Sequence, residues 1–320
     1  MKKAAVIGNP ISHSKSPLIH NFWLKQFNIE GSYEAIKAEN NKEFEKTVTK
    51  LVDDGYSGFN VTIPYKSLAH EICDEHIDVG YVSHYPSDLK AANTVKILDG
   101  KLIGYNTDFF GFYRTIKGPL NIFNKNVIIL GAGGASRSIA FGLANMKKYF
   151  WDLNSEPTLT ILNRNEDKAK KLIDDIYRSN LTTKKMNEKL KLTSGNFEDI
   201  YERIKGCNYI INTTPVGMSE EDAHMPFDIN CFKDAYTIDG NNMMRVYDII
   251  YNPLETTLLK EAQKMLLLTQ NGLGMLIWQA AAAFNIFFLE SDIDNFEDKY
   301  SKKFNEINPE LYAKLKKEIG

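Results

Sequence analysis

The chain has 320 residues, of which 43% are hydrophobic and 25% are charged, and its formal net charge at pH 7 is -2. This length and composition predict a globular protein with one or two sizeable hydrophobic cores. The near-neutral charge, without a dense block of lysine and arginine, argues against nucleic acid and anionic membrane surfaces as partners. A small polar or anionic substrate remains open. No window approaches about 18 consecutive apolar residues, so we expect no membrane-spanning helix.

The cysteines and the N-terminal segment bear on the cellular compartment. The three cysteines, Cys73, Cys207 and Cys231, are an odd number and lack the spacing typical of metal sites. Asn9 and Pro10 interrupt the N-terminal apolar run before it could form the core of a signal peptide. We therefore expect a reduced, cytoplasmic compartment and no metal ion. The sequence does not decide between a monomer and a homodimer.

Strands and helices alternate through the first part of the chain. Apolar runs closed by turn residues and segments of helical spacing predict strand, helix, strand, helix and strand at residues 4–10, 16–28, 32–38, 41–55 and 59–64. Such units predict a mainly parallel sheet with helices on both faces, an α/β/α arrangement. Asp99-Gly100 then lies between two alternating runs and predicts a tight hairpin, which would make this first sheet mixed.

A second α/β unit begins near Asn126. An apolar strand at residues 127–130 runs into Gly131, Gly133 and Gly134, and a helix follows. In this arrangement glycines allow close backbone approach, and the helix N-terminus offers N–H groups to a pyrophosphate. Further strands are predicted at residues 158–163, 209–215 and 246–253, which favours a Rossmann-type dinucleotide-binding domain. A tight turn without a ligand is the alternative interpretation.

The end of the next strand bears on the choice of cofactor. An acidic residue there binds the ribose of NAD, whereas a cation meets the 2′-phosphate of NADP. This strand ends at Asn163 and Arg164, and Lys168 lies just beyond. Because arginine can bind a phosphate with two parallel hydrogen bonds, the sequence favours NADP over NAD. An exposed arginine at the start of a helix is also common without a ligand.

Several polar residues are expected at one edge of the first sheet. Lys66 follows the third strand, Asp108 follows the hairpin, Asn93 precedes it, and Ser14 and Ser16 follow the first strand. Singly, each has an ordinary explanation as a solvated lysine, a helix-start acid, a turn residue or an N-cap. Together they predict a binding site beyond the carboxyl ends of the strands, with the serine hydroxyls suited to a substrate carboxylate.

These residues belong to motifs that resemble, in the same order, those of the shikimate dehydrogenase family. The resemblance covers residues 4 to about 285 and is carried by GNPISHSKSP, FNVTIPYK, AANTV, GYNTD, GAGGAS, NTTPVGM, YDIIYNP and NGLGMLIWQAA. It implies reversible NADP-dependent reduction of 3-dehydroshikimate to shikimate, on the route to chorismate and the aromatic amino acids. It also implies a substrate-binding domain at residues 1–114 completed by C-terminal helices at 272–320, an NADP-binding domain at 115–271, and an active site between them.

The resemblance also implies roles for individual residues. Lys66 and Asp108 would form the catalytic pair. The substrate would be bound by Ser14 and Ser16 at its carboxylate, and elsewhere by Asn60, Thr62, Asn93, Tyr251 and Gln279. NADP would be bound by Gly131, Gly133, Gly134, Ala135, Ser136, Asn163, Arg164, Lys168, Met218 and Gly272. Independently of the family, an ammonium beside a reacting ketone can stabilise the developing negative charge and deliver a proton.

The chain departs from the family pattern in several places. Phe109 replaces a usual glycine, and Asn165 and Lys168 replace a usual threonine and arginine, which predicts weaker binding of the 2′-phosphate. Residues 75–90 and 146–157 are longer than usual, residues 180–195 read as a surface insertion, and the charged stretch from Glu290 reads as a solvated tail of helices. Two alternatives stay open: a quinate/shikimate dehydrogenase that uses NAD, and a non-catalytic NADP-binding regulator of the same fold. The serine pair argues against a folate dehydrogenase.

Overall fold

A computed structural model of the chain describes residues 1–77, 89–116, 122, 125–145, 157–179, 190–219, 221, 224–235, 244–289 and 301–319. The protein divides into two compact units. The first unit comprises Met1–Phe112 and Ile277–Glu318, and the second comprises Tyr113–Leu276 and Ile319–Gly320. Within the described residues, no helix is both long enough and apolar enough to cross a membrane.

The first unit contains a mixed sheet. Its strands are β1 (Lys2–Gly8), β2 (Gly31–Lys37), β3 (Gly58–Val61), β4 (Glu75–His76), β5 (Thr94–Leu98) and β6 (Lys101–Tyr105), in the order β2-β1-β3-β5-β6-β4. Strand β1 pairs in parallel with β2 and β3, while β5 is antiparallel to β3 and β6. The predicted mixed sheet and hairpin are confirmed. Consequently the carboxyl ends of β1, β3 and β6 and the amino end of β5 lie along one edge.

The hairpin turn and the helix α2 show how local sequence produces these elements. Asp99 and Gly100 both have positive φ angles, 51° and 78°, as a type I′ turn requires. The first unit's early helices are α1 (Ser16–Gln26), α2 (Asn41–Asp53) and α3 (Lys66–Glu71). Helix α2 begins after Asn40, whose side chain accepts a hydrogen bond from the Glu43 N–H. Its apolar stripe packs on the buried face of β1, β3 and β5, in a core of Phe44, Val48, Leu51, Ala5, Ile7, Phe59, Val61 and Val95.

The second unit contains a fully parallel sheet. Its strands are β7 (Val127–Leu130), β8 (Thr158–Leu162), β9 (Lys191–Gly195), β10 (Tyr209–Asn212), β11 (Arg245–Asp248) and β12 (Leu268–Gln270), in the order β9-β8-β7-β10-β11-β12. Counted from its own first strand, this order is the 3-2-1-4-5-6 arrangement of dinucleotide-binding sheets. The predicted Rossmann-type fold is therefore confirmed.

Helices connect these strands and link the two units. They are α4 (Asp108–Thr115), α5 (Gly134–Asn145), α6 (Glu166–Arg178), α7 (Ile200–Arg203), α8 (Thr257–Lys264) and α9 (Leu273–Phe284). Short 3-10 turns occupy Phe197–Asp199 and Ile229–Ala235, and a π-helical turn, Asn285–Leu289, continues α9. The chain leaves the first unit within α4 and returns to it within α9.

The interpretation of residues 180–195 as a surface insertion is wrong for its last five residues. Residues 191–195 form β9, which pairs in parallel with β8 from Lys191 opposite Thr158 to Gly195 opposite Leu162. As an edge strand, β9 needs fewer apolar residues than a central strand, which made it hard to recognise. Residues 180–189, like residues 78–88 and 146–156 of the other two long segments, lie outside the described residues.

The prediction of a solvated C-terminal tail is also wrong where the chain is described. Helix α10 (Ser301–Ile319) buries Phe304, Leu311 and Leu315 completely. These residues recur at helical spacing and form one apolar stripe, whereas the charged residues occupy the other faces. The Phe304 ring packs edge-on against Trp23 of α1, with ring centroids 4.9 Å apart. Residues 290–300 lie outside the described residues.

Candidate active site

Lys66 and Asp108 form a close ion pair at the predicted edge of the first sheet. Lys66 opens α3 directly after β3, and Asp108 opens α4 directly after β6. The Lys66 Nζ lies 2.6 Å from Asp108 Oδ2, and the two side chains are only 15% and 7% exposed. Charge-assisted hydrogen bonds of this length are among the stronger ones in proteins. The structure therefore brings together two residues that lie 42 positions apart in the sequence.

Backbone contacts hold the start of α3 in place. The Tyr65 N–H donates to the Thr62 carbonyl at 3.0 Å, and the Ala92 N–H donates to the Lys66 carbonyl at 2.9 Å. Lys66 is thus tied on one side to the end of β3 and on the other to the segment that enters β5.

Asn93 holds the carboxylate of Asp108 from the other side. Its Nδ2 donates to Asp108 Oδ1 at 2.8 Å and to Thr107 Oγ1 at 3.0 Å, while its Oδ1 accepts the Thr107 N–H at 2.8 Å. The Asp108 N–H donates to Asn106 Oδ1 at 3.1 Å, and Asn106 Nδ2 donates to the Ala91 carbonyl at 2.8 Å. Both carboxylate oxygens of Asp108 are therefore engaged. The supporting roles of Asn106 and Thr107 were not predicted from the sequence.

Asn60 lies beneath this group and is almost fully buried. Its Nδ2 donates to the Asn93 carbonyl at 3.1 Å and to Thr94 Oγ1 at 2.9 Å, and its Oδ1 accepts the Tyr33 hydroxyl at 2.6 Å. Both N–H groups of the amide are thus used within the protein. The binding of a substrate hydroxyl by Asn60 stays a prediction.

Two further predicted substrate residues lie near the ends of these strands. Thr107 Oγ1 donates to Gln279 Oε1 at 3.4 Å, so Gln279 of α9 joins the group around Asp108. The Thr62 N–H donates to the Ile7 carbonyl at 3.0 Å, which sets Thr62 beside the end of β1. Both side chains are partly exposed. Their contacts with a ligand stay predictions.

The serine pair lies in the loop that follows β1. Ser16 is the first residue of α1, and its N–H donates to Ser14 Oγ at 3.4 Å. The parallel pairing of β1 with β3, with Ile7 opposite Val61, places this loop on the same sheet edge as Lys66. Hydroxyls beside the N-terminus of an eleven-residue helix are suited to a carboxylate.

The glycine turn of the second unit has the geometry of a phosphate-binding loop. Gly131 has a φ angle of 106°, and a Cβ there would lie 2.7 Å from Thr213 Oγ1. At Gly133 a Cβ would meet nothing within 4 Å, so the turn is open at that point. Helix α5 begins at Gly134, and Ala135 and Ser136 lie in its first turn. The buried Ser136 hydroxyl donates to the Gly131 carbonyl at 2.7 Å, so Ser136 can offer a ligand its backbone N–H rather than its hydroxyl.

The end of β8 presents cations to solvent. Arg164 and Lys168 are exposed, and Asn163 Nδ2 donates to the Asn165 carbonyl at 2.8 Å. Asn165 caps α6 by accepting the Lys168 N–H at 3.2 Å. The first turn of α6 also contains the acids Glu166 and Asp167, whose charges lower the local positive potential.

The remaining residues predicted to bind substrate or cofactor follow β10, β11 and β12. Met218 is 51% exposed, and Tyr251 is partly exposed. The Gly272 N–H donates to the Ile250 carbonyl at 2.9 Å, and a Cβ at Gly272 would lie 1.8 Å from the Ile249 carbonyl oxygen. A side chain at position 272 would therefore force α9 away from the end of β11.

A buried carboxylate, missed by the sequence analysis, organises these loops. Asp248 accepts hydrogen bonds from Thr256 Oγ1 at 2.7 Å, Asn212 Nδ2 at 3.1 Å and the Ile250 N–H at 3.1 Å. Burial raises the pKa of Asp248 to about 6, although these hydrogen bonds act in the opposite direction. Asp248 and Asn212 both lie in motifs that carry the family resemblance, which was the available signal.

The cysteines and possible metal ligands offer no competing chemistry in the described part of the chain. All three cysteines are free, and burial raises the pKa of each thiol to about 12. Among the residues that the structure describes, no cluster of histidine, cysteine, aspartate and glutamate could hold a metal ion.

The chain is similar to known proteins over most of its length. A family model of the shikimate dehydrogenase substrate binding domain matches residues 6–95. A shikimate dehydrogenase (NADP(+)) of Caldicellulosiruptor bescii is 38% identical over 306 residues, which cover 94% of this chain and 93% of the relative. A crystal structure of a shikimate dehydrogenase in complex with NADP+ is 34% identical, with a TM-score of 0.73, over 95% of this chain and 96% of the other.

A third comparison includes both kinds of ligand. The crystal structure of shikimate 5-dehydrogenase from Listeria monocytogenes, in complex with shikimate and NAD, is 27% identical, with a TM-score of 0.70. It covers 93% of this chain and 96% of the other. The identity to curated relatives extends over nearly the whole chain and includes both units. The chain therefore belongs to the shikimate dehydrogenase family.

Proposed function

We propose that this chain is an NADP-dependent oxidoreductase that interconverts 3-dehydroshikimate and shikimate in the biosynthesis of chorismate and the aromatic amino acids. The observation that carries the proposal is the Lys66–Asp108 pair, held by Asn93 at the edge of the first sheet. The identity to NADP-dependent shikimate dehydrogenases over 94% of the chain supports the same substrate class and cofactor.

Lys66 acts as the proton donor in the direction of ketone reduction. When bound, NADPH supplies a hydride to the carbonyl carbon. As negative charge develops on the substrate oxygen, the Lys66 ammonium stabilises it and transfers a proton from Nζ. Asp108 orients that ammonium through the 2.6 Å contact. In the reverse direction Lys66 Nζ accepts the proton of the shikimate hydroxyl.

The substrate is bound by residues of the same sheet edge. Ser14 and Ser16 hold the carboxylate at the N-terminus of α1. Polar side chains contact the ring hydroxyls and the reacting oxygen: Thr62, Asn93, Asp108, Tyr251 and Gln279. The first unit thus supplies most of the substrate site, which supports assigning residues 1–114 and 272–320 to a substrate-binding domain.

The second unit binds the cofactor. We therefore assign residues 115–271 to an NADP-binding domain. The open turn at Gly133 and the N–H groups at the start of α5 fit a pyrophosphate. Arg164 and Lys168 bind the 2′-phosphate, and Asn163 contacts the adenosine. Met218 and Gly272 lie on the nicotinamide side. The glycine turn and the exposed cations fit NADP, which is the preferred cofactor.

The test follows NADPH absorbance while the purified protein oxidises shikimate or quinate, with NADP and NAD compared at equal concentration. Fast turnover with shikimate and NADP, and slow turnover with every other pair, is the expected result. Because Glu166 and Asp167 lie beside Arg164, and because the Listeria monocytogenes structure contains NAD, use of NAD is the second candidate. Failure with all four pairs would refute both and favour a non-catalytic regulator.

We also propose a cytoplasmic enzyme that is a monomer or a homodimer. The three free cysteines, two of them buried, fit a reducing compartment. Light scattering coupled to size-exclusion chromatography measures the mass in solution. A mass of 36.5 kDa indicates a monomer, and twice that mass indicates a homodimer.

A further inference from the structure

A directional series of hydrogen bonds leads from the interior of the first unit to Asp108. The Tyr33 hydroxyl donates to Asn60 Oδ1 at 2.6 Å, and Asn60 Nδ2 donates to Thr94 Oγ1 at 2.9 Å. Thr94 Oγ1 donates to Asn93 Oδ1 at 3.1 Å, and Asn93 Nδ2 donates to Asp108 Oδ1 at 2.8 Å. We call these five residues the relay. Each member before Asp108 donates to the next.

The sheet register brings the relay together. Strand β1 lies between β2 and β3, with Tyr33 opposite Ala4 and Ala4 opposite Gly58. Asn60 lies two residues beyond Gly58, so its side chain is on the same face as that of Tyr33. Asn60 pairs directly with Thr94 of β5. The long tyrosine side chain thus reaches across β1 to the end of β3.

Two backbone groups fix the direction of the relay. The Asn93 carbonyl can only accept, so Asn60 must present its Nδ2 there and its Oδ1 to Tyr33. The Thr107 N–H can only donate, so Asn93 must present its Oδ1 there and its Nδ2 to Asp108. Under these constraints the Tyr33 hydroxyl has to act as a donor.

The surroundings of Tyr33 keep it in that state. It is 3% exposed, and burial raises the pKa of its hydroxyl well above the usual value of 10.0. The ring of His20 stacks on the Tyr33 ring with centroids 3.9 Å apart, nearly parallel at 3°. Burial lowers the pKa of His20 to about 3, so His20 is neutral at physiological pH. Tyr33 is therefore an uncharged donor with a fixed ring.

We propose that Tyr33 is a positioning residue for the Lys66–Asp108 pair. Its hydroxyl donates a hydrogen bond to the buried Asn60 Oδ1. This bond stabilises the orientation in which the Asn60 amide donates to the Asn93 carbonyl and the Asn93 amide donates to Asp108. Tyr33 acts through these amides and contacts neither substrate nor cofactor. The proposal rests on the proposed function of Lys66 and Asp108, and it assigns Asn60 to support of the pair rather than to the substrate.

The test compares two variants that each remove one buried hydroxyl. Tyr33→Phe keeps the ring against His20 and leaves Asn60 Oδ1 without its donor. Tyr65→Phe is the matched control. The Tyr65 hydroxyl is also buried, and it donates to the Ala38 carbonyl at 2.7 Å. Tyr65 precedes Lys66 in the sequence, but its hydroxyl bond lies outside the relay. Both variants lose one buried hydrogen bond, so we expect similar decreases in the thermal midpoint.

The kinetic constants separate positioning from general stability. For Tyr33→Phe we expect kcat for shikimate oxidation to fall about tenfold, with KM for shikimate changed less than about twofold, because a misplaced pair affects the proton transfer more than binding. For Tyr65→Phe we expect kcat to stay within about twofold of wild type. An unchanged kcat in Tyr33→Phe, or an equal loss in both variants, would overturn the proposal.

A second measurement does not depend on activity. The side-chain amide signals of Asn60 and Asn93 in the ligand-free protein, followed by NMR, should shift in Tyr33→Phe and remain in place in Tyr65→Phe. If the wild-type protein fails to oxidise shikimate, the proposed function is refuted, while the amide signals still decide the relay. Unshifted Asn93 signals in Tyr33→Phe would overturn it.

Discussion

The replacement Lys66→Met removes the ammonium from the proposed active site while keeping much of the side-chain volume. A positioned general acid contributes about 10²–10⁴ to a rate, which corresponds to roughly 2.7–5.4 kcal/mol at 1.36 kcal/mol per tenfold change. The Lys66 side chain is only 15% exposed, so water cannot readily take its place. We therefore expect kcat to fall by at least about 100-fold.

The same replacement affects folding, because it leaves the Asp108 carboxylate without its cation. Breaking a buried pair in this way costs about 3–5 kcal/mol. Asn93 still donates to Asp108 Oδ1, and the carboxylate lies at the N-terminus of α4, so we expect a value near 3 kcal/mol. The double variant Lys66→Met/Asp108→Asn removes the stranded charge and should recover about 2 kcal/mol of unfolding free energy. It should remain inactive.

The assay is steady-state oxidation of shikimate with NADP, combined with denaturant unfolding of each variant. Lys101→Met serves as the matched control, since Lys101 forms an ion pair with Glu75 at 3.4 Å in which both side chains are more than half exposed. An exposed pair contributes little, so both its kcat and its stability should stay close to wild type. Recovery of activity together with stability in the double variant would refute the catalytic role of Lys66.

Three other predictions concern the cofactor site, a buried acid and the last helix. Arg164→Gln should raise KM for NADP about tenfold and leave KM for NAD unchanged, as measured by initial rates, because only NADP carries the 2′-phosphate. Burial raises the pKa of Asp248 from 3.8 to about 6, so the folded protein keeps a proton that the unfolded chain releases. The unfolding free energy of the wild type should therefore fall as pH rises between these values, by on the order of 3 kcal/mol at 1.36 kcal/mol per pH unit. Denaturant unfolding at a series of pH values should show no such fall in Asp248→Asn. Phe304→Ala should lower the unfolding free energy by about 3–5 kcal/mol, because the ring is fully buried against Trp23; a loss below about 1 kcal/mol would contradict the packing of α10.

The main architecture could be predicted because short apolar strand segments and segments of helical spacing alternate along the chain. Central strands such as Val127–Leu130 are short apolar runs between turn residues, and they are buried on both faces. The strand ends then locate the polar residues: Lys66 after β3 and Asp108 after β6 meet at one edge because those strands run in the same direction.

The elements that escaped prediction lack such a pattern or depend on distant partners. Strand β9 is an edge strand whose polar residues resemble those of a loop. In α10, the stripe that begins at Phe304 lies among many charged residues, and its burial depends on the aromatic residues of α1 and α9. Sequence composition reports neither the edge position nor the partner surface.

The relay shows why a residue can matter to a site without any local signal. Tyr33 is the one buried residue of a strand whose other residues are exposed or partly exposed, so its burial reads as ordinary core packing. Its effect on Asp108 depends on β1 lying between β2 and β3, on a register that puts Asn60 opposite Thr94, and on the backbone groups that orient two amides. Each of these is a property of long-range pairing. The residue types at the strand ends therefore predict which groups act, whereas the sheet register determines which buried residues hold them.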